Sequence, residues 1–134
     1  MHGHSIGLDV RSTDDLIARL QAGLPPSAFD RLRAELGLAA DALADLAGVS
    51  TRTLARRRKR AQPLAPDTSE RLIRFARLYE IAADVLGSED EARRWLKTPN
   101  TALGDRAPLD YAATEPGARE VEDLLARLAH GVFV

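Results

Sequence analysis

A glycine between two short helical segments is the feature of this chain that most restricts its fold. Segment 40–47 spaces its apolar residues so that one narrow stripe of a helix can pack inward. That stripe consists of Leu43, Ala44 and Ala47. Gly48 suits the left-handed conformation that ends a helix, and Ser50 is a good N-cap for the next helix. The sequence therefore predicts a second helix over about 51–60, at a steep angle to the first.

The predicted second helix combines a small apolar side with many cations. Leu54 and Ala55 are its only aliphatic residues, so the preceding helix must hold it in place. Six of the residues from Arg52 to Arg60 are basic. A helix-turn-helix has this construction: its second helix enters the DNA major groove, reads base edges with its first residues and meets phosphates with its basic ones. The residues predicted to contact DNA are Ser50, Thr51, Arg52, Thr53, Arg56, Arg57, Lys59 and Arg60.

A basic run by itself has a plainer interpretation, a solvated helix face or a linker ahead of Pro63. The spacing of the turn residues favours DNA contact, because a basic stripe that lies on a docking element has a defined partner. Those turn residues are Ala44, Gly48, Val49 and Leu54. They resemble the helix-turn-helix of the Xre-type, lambda-repressor-like family.

Composition places the chain among ordinary globular proteins. Its 134 residues suffice for one domain with a real core or for two small helical subdomains, and 45% of them are hydrophobic. The chain has no cysteine, which excludes disulfides and thiolate zinc sites. The first residues lack a signal-peptide pattern, and no apolar run approaches the length of a membrane span. We therefore expect a cytoplasmic protein with no membrane partner.

Charge divides the chain into two dissimilar parts. Residues 27–62 carry eight Lys or Arg against four Asp or Glu, a local balance of +4. Residues 87–134 carry six against nine, a balance of −3. The first part can attract phosphate, and the second suits a different partner.

The sequence gives no sign of catalysis, of a cofactor or of a metal site. Histidine occurs only at positions 2, 4 and 130, so neither a catalytic triad nor a metal-binding spacing is present. The paired acids at 14–15 and 90–91 belong to helix first turns, where the helix dipole already explains them. We therefore predict that the protein is not an enzyme.

The segments around the turn also have helical patterns. A helix capped by Ser12 or Thr13 and ended by Gly23 has an apolar face that needs the domain body or a second copy of the chain as its partner. That face consists of Leu16, Ile17 and Leu20. Pro25 and Pro26 open the next helix, with Phe29, Leu32 and Leu36 on one side. The helix over 40–47 has only alanine where a cap is expected.

After the basic helix, a long helix capped by Asp67 or Thr68 should run to about Leu86, with Glu70 and Arg74 as a surface pair. Three further helices are predicted. Ser88 caps the first, Pro108 starts a short second and Pro116 opens the last, which has one buried face. The expected fold is all-α.

The second half resembles the toxin-binding domain of the MbcA/ParS/Xre antitoxins, so that the resemblance covers about residues 25–134. The residues that carry it are Trp95-Leu96, Pro99-Asn100, Leu103-Gly104, Pro108-Leu109, Thr114, Gly117, Val121 and His130-Gly131-Val132. Asp105 departs from the pattern, since a second glycine is expected after Gly104. The resemblance implies a lambda-repressor-like helix-turn-helix at 25–66, after an extension with a short helix at 1–24. A connecting helix and a toxin-binding domain follow at 67–134.

The resemblance implies a DNA-binding antitoxin of a type II toxin–antitoxin pair. Its partner would be a RES-domain toxin that degrades NAD, blocked by the C-terminal segment, and the pair would repress its own operon. The implied toxin-binding residues are Trp95, Pro99, Asn100, Leu103, Gly104, Leu128, His130, Gly131, Val132, Phe133 and Val134. Physically, the last residues form an apolar tip with a terminal carboxylate, which could enter a nucleotide cleft. The plainer alternatives are core packing for the large apolar residues, loop shaping for Pro99, Gly104, Pro108 and Gly117, a helix-end cation for His130, and disorder for the chain end.

A stand-alone repressor with a C-terminal dimerisation or ligand domain is the main alternative. The absence of a neighbouring gene for a RES-like protein would favour it. Either protein would bind operator DNA as a homodimer, because helix-turn-helix proteins usually occupy paired half-sites.

Overall fold

The structure, a computed structural model, describes residues 6–7 and 10–131 and is built of α-helices. In this part of the chain they are α1 (Thr13–Ala22), α2 (Pro26–Leu36), α3 (Ala40–Ala47), α4 (Thr51–Lys59), α5 (Pro66–Leu86), α6 (Glu89–Lys97), α7 (Pro108–Tyr111) and α8 (Glu115–Ala129). A 3-10 turn spans Thr101–Leu103, and the described residues contain no strand beyond one isolated bridge, between Asn100 and Arg106. The expected all-α class is confirmed.

The chain forms two compact units, and the division between them falls inside α5. The first unit ends at Ala76 and the second begins at Arg77. In the first unit α2, α3 and α4 pack against one another, whereas in the second α7 contacts both α6 and α8. The domain limits expected from the sequence, at 24 and 66, remain predictions.

Helix α1 has the predicted ends but little buried surface. The Ser12 hydroxyl oxygen accepts a hydrogen bond from the Asp15 N–H, and Gly23 ends the helix. The Arg11 backbone N–H bonds the Asp15 carboxylate and lowers the pKa of that group, an effect to which Arg19 adds. No residue of α1 is fully buried, and Ile17 remains 46% exposed. The apolar face of α1 is thus only partly covered by the residues that the structure describes.

Helices α2 and α3 follow the sequence pattern closely. Pro25 and Pro26 begin α2, which buries Phe29, Leu32 and Leu36. Helix α3 starts without a side-chain cap at Ala39, which is the weak start that the sequence indicated. Its stripe of Leu43, Ala44 and Ala47 is buried.

The start of α5 differs from the prediction. The helix begins at Pro66, so Asp67 and Thr68 lie inside its first turn rather than at its cap. Thr68 and Ser69 are buried, and the Ser69 hydroxyl accepts a hydrogen bond from the Leu24 N–H at 2.9 Å while donating to the Ala65 carbonyl at 2.9 Å. A serine that satisfies a buried backbone donor stabilises the junction between α1 and α2, because an unpaired buried N–H is costly.

Arg74 was predicted to form a surface pair with Glu70, and this was wrong for the arginine. Arg74 is only 6% exposed. Both oxygens of the Glu70 carboxylate accept hydrogen bonds from its guanidinium, at 2.7 and 2.9 Å. A buried guanidinium requires such a partner, since an uncompensated buried charge is strongly destabilising. The pair is therefore part of the packed structure of the first unit.

The second unit uses capped helices around a small core. The hydroxyl oxygen of Ser88 caps α6, as the sequence predicted, and the hydroxyl oxygen of Thr114 caps α8. Pro116 lies in the first turn of α8, one residue after its start at Glu115. The core-facing residues of α6 and α8 are Ala92, Leu96, Val121, Leu124 and Leu125.

Gly117 allows the start of α8 to approach α7 closely. A Cβ atom at this position would lie 1.7 Å from the Tyr111 carbonyl oxygen, which cannot move without its backbone. We expect Gly117→Ala to lower the free energy of unfolding by about 1–3 kcal/mol, the usual cost of overpacking. Thermal denaturation of the purified protein measures this. An unchanged midpoint would show that α8 can shift freely away from α7.

Candidate functional site

The turn between α3 and α4 has the conformation that its glycine suggested. Gly48 is left-handed, with φ 70° and ψ 34°, and the Val49 N–H donates to the Ala44 carbonyl at 2.9 Å. The Ser50 hydroxyl oxygen then accepts from the Thr53 N–H at 3.0 Å, which caps α4. These bonds satisfy the free backbone groups at both helix ends, so that the turn is closed by local contacts.

Helix α5 also supports this turn. Arg71 donates a hydrogen bond from its guanidinium to the Ala47 carbonyl at 3.3 Å, at the C-terminal end of α3. A cation there is stabilised by the negative end of the helix dipole. The guanidinium lies so close that a Cβ atom on Gly48 would come within 1.9 Å of one of its nitrogens. The sequence pattern did not indicate this role of Arg71.

Helix α4 is held through a single apolar side chain. Leu54 is its only buried residue. Ala55, which the sequence grouped with Leu54 on the inner side, is exposed. It follows Leu54 by about 100° around the helix and so turns away from the contact with α2 and α3. The buried side of α4 is therefore even smaller than expected.

The cations of α4 fall into two sets. Arg52, Arg56 and Lys59 lie on one face, at i, i+4 and i+7, opposite Leu54. All three are exposed, and none has an ion-pair partner among the described residues. Arg60, which ends the helix, is exposed as well. This outer face therefore presents positive charge to solvent.

Arg57 and Arg58 form the second set, on the flanks of Leu54. Arg57 is half-buried and donates a hydrogen bond to the Pro63 carbonyl. Arg58 forms an ion pair with Asp30 of α2 at 2.8 Å. The bond to Pro63 gives Arg57 a structural role in the segment after α4 that the sequence did not indicate, and its contact with DNA remains a prediction.

The first residues of α4 are divided in the same way. Thr51 and Arg52 are exposed, whereas Thr53 is half-buried and its hydroxyl oxygen accepts a hydrogen bond from Ser50 at 2.9 Å. Thr51 and Arg52 are therefore the residues of this turn with side chains available to a base edge. Ser50 and Thr53 chiefly close the helix end.

Four of the predicted partner-binding residues, Pro99, Asn100, Leu103 and Gly104, belong to a tight loop over 99–106. Asn100 organises it: its side-chain oxygen accepts from the Ala102 N–H at 2.9 Å, and its carbonyl accepts from the N–H groups of Leu103 and Asp105, both at 3.0 Å. Its own N–H donates to the Arg106 carbonyl at 3.1 Å. The loop is thus held by backbone bonds that leave its outer surface free.

The residues predicted to bind the partner differ in exposure. Pro99, Gly104, His130 and Gly131 are exposed, Trp95, Asn100 and Leu128 are half-buried, and Leu103 is buried at 3%. Leu103 thus packs in the core, which agrees with the plainer interpretation. Val132, Phe133 and Val134 lie outside the described residues, as do His2 and His4.

Asp105 departs from the family pattern at a place where the backbone explains the expected glycine. Gly104 and Asp105 are both left-handed, with φ 66° and 62°. Aspartate tolerates this conformation better than most residues, but glycine adopts it without strain. Asp105 therefore adopts the left-handed conformation that favours glycine at this position.

We expect Asp105→Gly to raise the free energy of unfolding by about 0.5–1 kcal/mol, because it relieves the left-handed strain at an exposed position. Asp110→Gly is the matched control. Asp110 is exposed in helix α7, where glycine should be destabilising by about the same amount. Denaturant unfolding of both variants measures the difference, and equal effects would contradict this account of the loop.

An ion pair fixes α8 within the second unit. Arg77, in the last half of α5, donates to the Glu122 carboxylate at 2.6 Å, and both side chains are about one-third exposed. The Arg106 guanidinium lies over the Tyr111 ring, 4.5 Å from its centroid.

The described residues contain neither a cluster of metal ligands nor a membrane-spanning helix. No group of three or more metal-ligating side chains occurs there. None of the helices in that part of the chain is both long and apolar enough to cross a membrane.

Comparison with known proteins assigns both halves of the chain to described families. Residues 15–77 match the antitoxin Xre-like helix-turn-helix domain, and residues 82–131 match the antitoxin Xre/MbcA/ParS C-terminal toxin-binding domain.

Individual proteins are similar over most of their length. The chain is 34% identical to an Antitoxin Xre of Yersinia enterocolitica and 31% identical to one of Photorhabdus laumondii, in both cases over 96% of this chain and 87% of the relative. It is 27% identical to a Prs ADP-ribosylating antitoxin of a Sphingobium species, over 89% of this chain and 80% of that protein.

Proposed function

This chain belongs to the Xre/MbcA/ParS antitoxin family and has its helix-turn-helix and toxin-binding domains, and we propose that its partner is a RES-domain toxin that degrades NAD. The antitoxin would block the active site of that toxin with its C-terminal segment. Together with the toxin, it would repress its own operon through the helix-turn-helix. These activities belong to the cytoplasm, where we expect the protein to act.

The observation that carries the DNA-binding part is the outer face of α4. Arg52, Arg56 and Lys59 share that face, and no described carboxylate pairs with them. Basic side chains on a helix held by its opposite side can reach the phosphates on the walls of the major groove. The turn at Gly48 supports the same interpretation, because it presents α4 as a helix-turn-helix does.

Toxin binding is supported by the 99–106 loop and the end of α8. The loop exposes Pro99 and Gly104 on a backbone fixed by Asn100. Helix α8 closes at His130, and the residues that follow Gly131 in the sequence, Val132, Phe133 and Val134, are apolar. The loop would provide an anchoring surface, and the apolar residues at 132–134 would provide a segment that enters the cleft of the toxin.

The choice of an NAD-consuming toxin rests on family resemblance, and one relative suggests a variant of the same chemistry. That protein is named a Prs ADP-ribosylating antitoxin. ADP-ribosylation and NAD degradation both break the bond between nicotinamide and ribose. In NAD degradation the ADP-ribose is transferred to water or phosphate, whereas in protein ADP-ribosylation it is transferred to a protein.

Co-expression with the product of the neighbouring gene tests the proposal. We expect the two proteins to copurify, the neighbour alone to stop growth and deplete cellular NAD, and the antitoxin to restore both. Labelled NAD distinguishes the acceptors, because a protein ADP-ribosyltransferase would transfer the label to protein. If the two proteins neither copurify nor affect NAD while the chain still binds promoter DNA, the stand-alone repressor is the correct alternative.

We also propose that the protein is a homodimer that contacts itself through α1. Among the described residues, Ile17 is the one large hydrophobic residue with an exposed side chain. It lies on α1, a helix with no fully buried residue. Ile17→Glu should shift the protein to monomer in size-exclusion chromatography with light scattering. Ala18→Glu, at the next exposed position of α1, is the control for the added charge. A variant at Ile17 that remains dimeric would place the dimer surface elsewhere.

A further inference from the structure

Asp30 is an acidic residue of α2 that reaches the DNA-binding helix. Its carboxylate lies 2.8 Å from the Arg58 guanidinium, and both side chains are about half exposed, at 50% and 49%. Among the cations of α4, Arg58 is the only one that the described part of the chain pairs with a carboxylate. The outer-face cations Arg56 and Lys59, close to it in sequence, have no such partner.

The position of Arg58 explains this pairing. It follows Leu54 by four residues, and therefore lies on the same side of α4 as the buried leucine, toward α2. Its long side chain extends along that flank to Asp30. Without Asp30, the long Arg58 side chain would be able to turn outward, because it is half exposed and lies one residue before the end of α4.

The ion pair is not needed to hold the fold. Half-exposed pairs of this kind contribute little to stability, since water competes for both charges. Helix α4 has Leu54 and the Ser50 cap to keep it in place. The consequence of the pair should therefore appear in binding rather than in folding.

A free cation at this position would strengthen binding to any DNA. Contacts with phosphates provide most of the sequence-independent affinity of DNA-binding proteins, and each one releases counterions. Contacts with base edges supply the discrimination between sequences. The ion pair with Asp30 keeps Arg58 from contacting a phosphate. The Asp30 carboxylate, near the flank of α4, also repels phosphate.

We propose that Asp30 is a specificity-determining residue, which limits sequence-independent DNA binding by holding Arg58 against α2. This inference rests on the proposed DNA-binding function. A protein that must find one promoter among many competing sites gains from a low affinity for all the others.

Four full-length proteins test the proposal: wild type, Asp30→Asn, Arg58→Met and the double variant. Each is titrated with the DNA upstream of its own gene and with a scrambled fragment of equal length, over a series of salt concentrations. Asp67→Asn, an exposed acid in the first turn of α5, is the control for losing one negative charge in the same unit.

Asp30→Asn should bind the scrambled fragment roughly five-fold more tightly at low salt, the order expected for one added charge contact. The slope of log K against log salt should become steeper by about one, because one more phosphate is neutralised. The gain on promoter DNA should be smaller, because contacts with base edges hold α4 in one register there, and the specificity ratio should therefore fall. An equal gain on both fragments would contradict the proposed effect on specificity. Arg58→Met should change neither slope, and the double variant should lose the steeper slope.

Two further results would overturn the inference. If Asp30→Asn weakens DNA binding as much as Arg58→Met does, the ion pair serves to position α4. If Asp30→Asn changes DNA binding no more than the Asp67→Asn control does, Asp30 has no effect on DNA affinity. Failure of the proposed function looks different, because the wild type would then bind neither fragment.

Discussion

Deletion of Gly131–Val134 should abolish neutralisation of the toxin while the protein still folds. The buried residues of α8 all precede the deletion, and the helix is closed at His130, whose N–H donates to the Ala126 carbonyl at 3.1 Å. The only described hydrogen bond removed is the one from the Gly131 N–H to the Leu128 carbonyl. Cells that express the toxin should therefore stop growing and lose NAD as if no antitoxin were present, while the thermal midpoint of the purified variant changes little.

A second variant distinguishes the apolar character of the last residues from their number. Replacement of Val132, Phe133 and Val134 by serine keeps the number of residues but removes the apolar side chains. We expect this variant to copurify more weakly with the toxin, because apolar burial is lost. Full protection by the truncated protein would show that the tail does not block the toxin, and would direct attention to the 99–106 loop.

Replacement of Arg52, Arg56 and Lys59 by alanine should remove most binding to promoter DNA. These side chains form the outer face of α4 and make no described contact within the chain that folding requires. Loss of three charged contacts at about 1 kcal/mol or more each should raise the Kd roughly a hundredfold or more. The slope of log K against log salt should become shallower by up to about three, and gel-shift or anisotropy titrations measure both.

The matched control is Arg94, Lys97 and Arg119 changed to alanine. These residues are exposed in the second unit, and their replacement removes the same charge from the whole protein. Promoter binding should stay close to that of the wild type. An equal loss in both triple variants would mean that net charge, not the face of α4, determines DNA affinity. Toxin neutralisation by the α4 variant should persist, since the toxin-binding domain is left unaltered.

Sequence reasoning succeeded where a residue acts on its immediate neighbours. Gly48 ends α3, Ser50 caps α4, and Ser88 caps α6, because these effects depend on local φ and ψ and on hydrogen bonds to groups three residues away. The departure at Asp105 also marked a real feature of the loop, a second left-handed residue. Periodicity likewise identified the buried stripes of α2 and α3.

The candidate site was predictable only in part. The basic helix and its turn follow from sequence, and so does the list of cations. Which of those cations face outward could not be read from the list, because it depends on Leu54 being the only buried residue of α4 and on the partners that α2 and Pro63 provide. Ala55 was misassigned for the same reason.

By itself, the amino-acid sequence determined the all-α class, most of the helix ends and the existence of a cationic helix after a glycine turn. The tertiary structure alone decided the functions of polar side chains whose partners are distant: Arg58 with Asp30, 28 residues away, and Ser69 with Leu24, 45 residues away. It also decided that Arg74 is buried and that Gly117 must lack a side chain. The physical reason is that capping and backbone conformation are set within one helical turn, whereas burial and charge pairing depend on which segments the fold brings together.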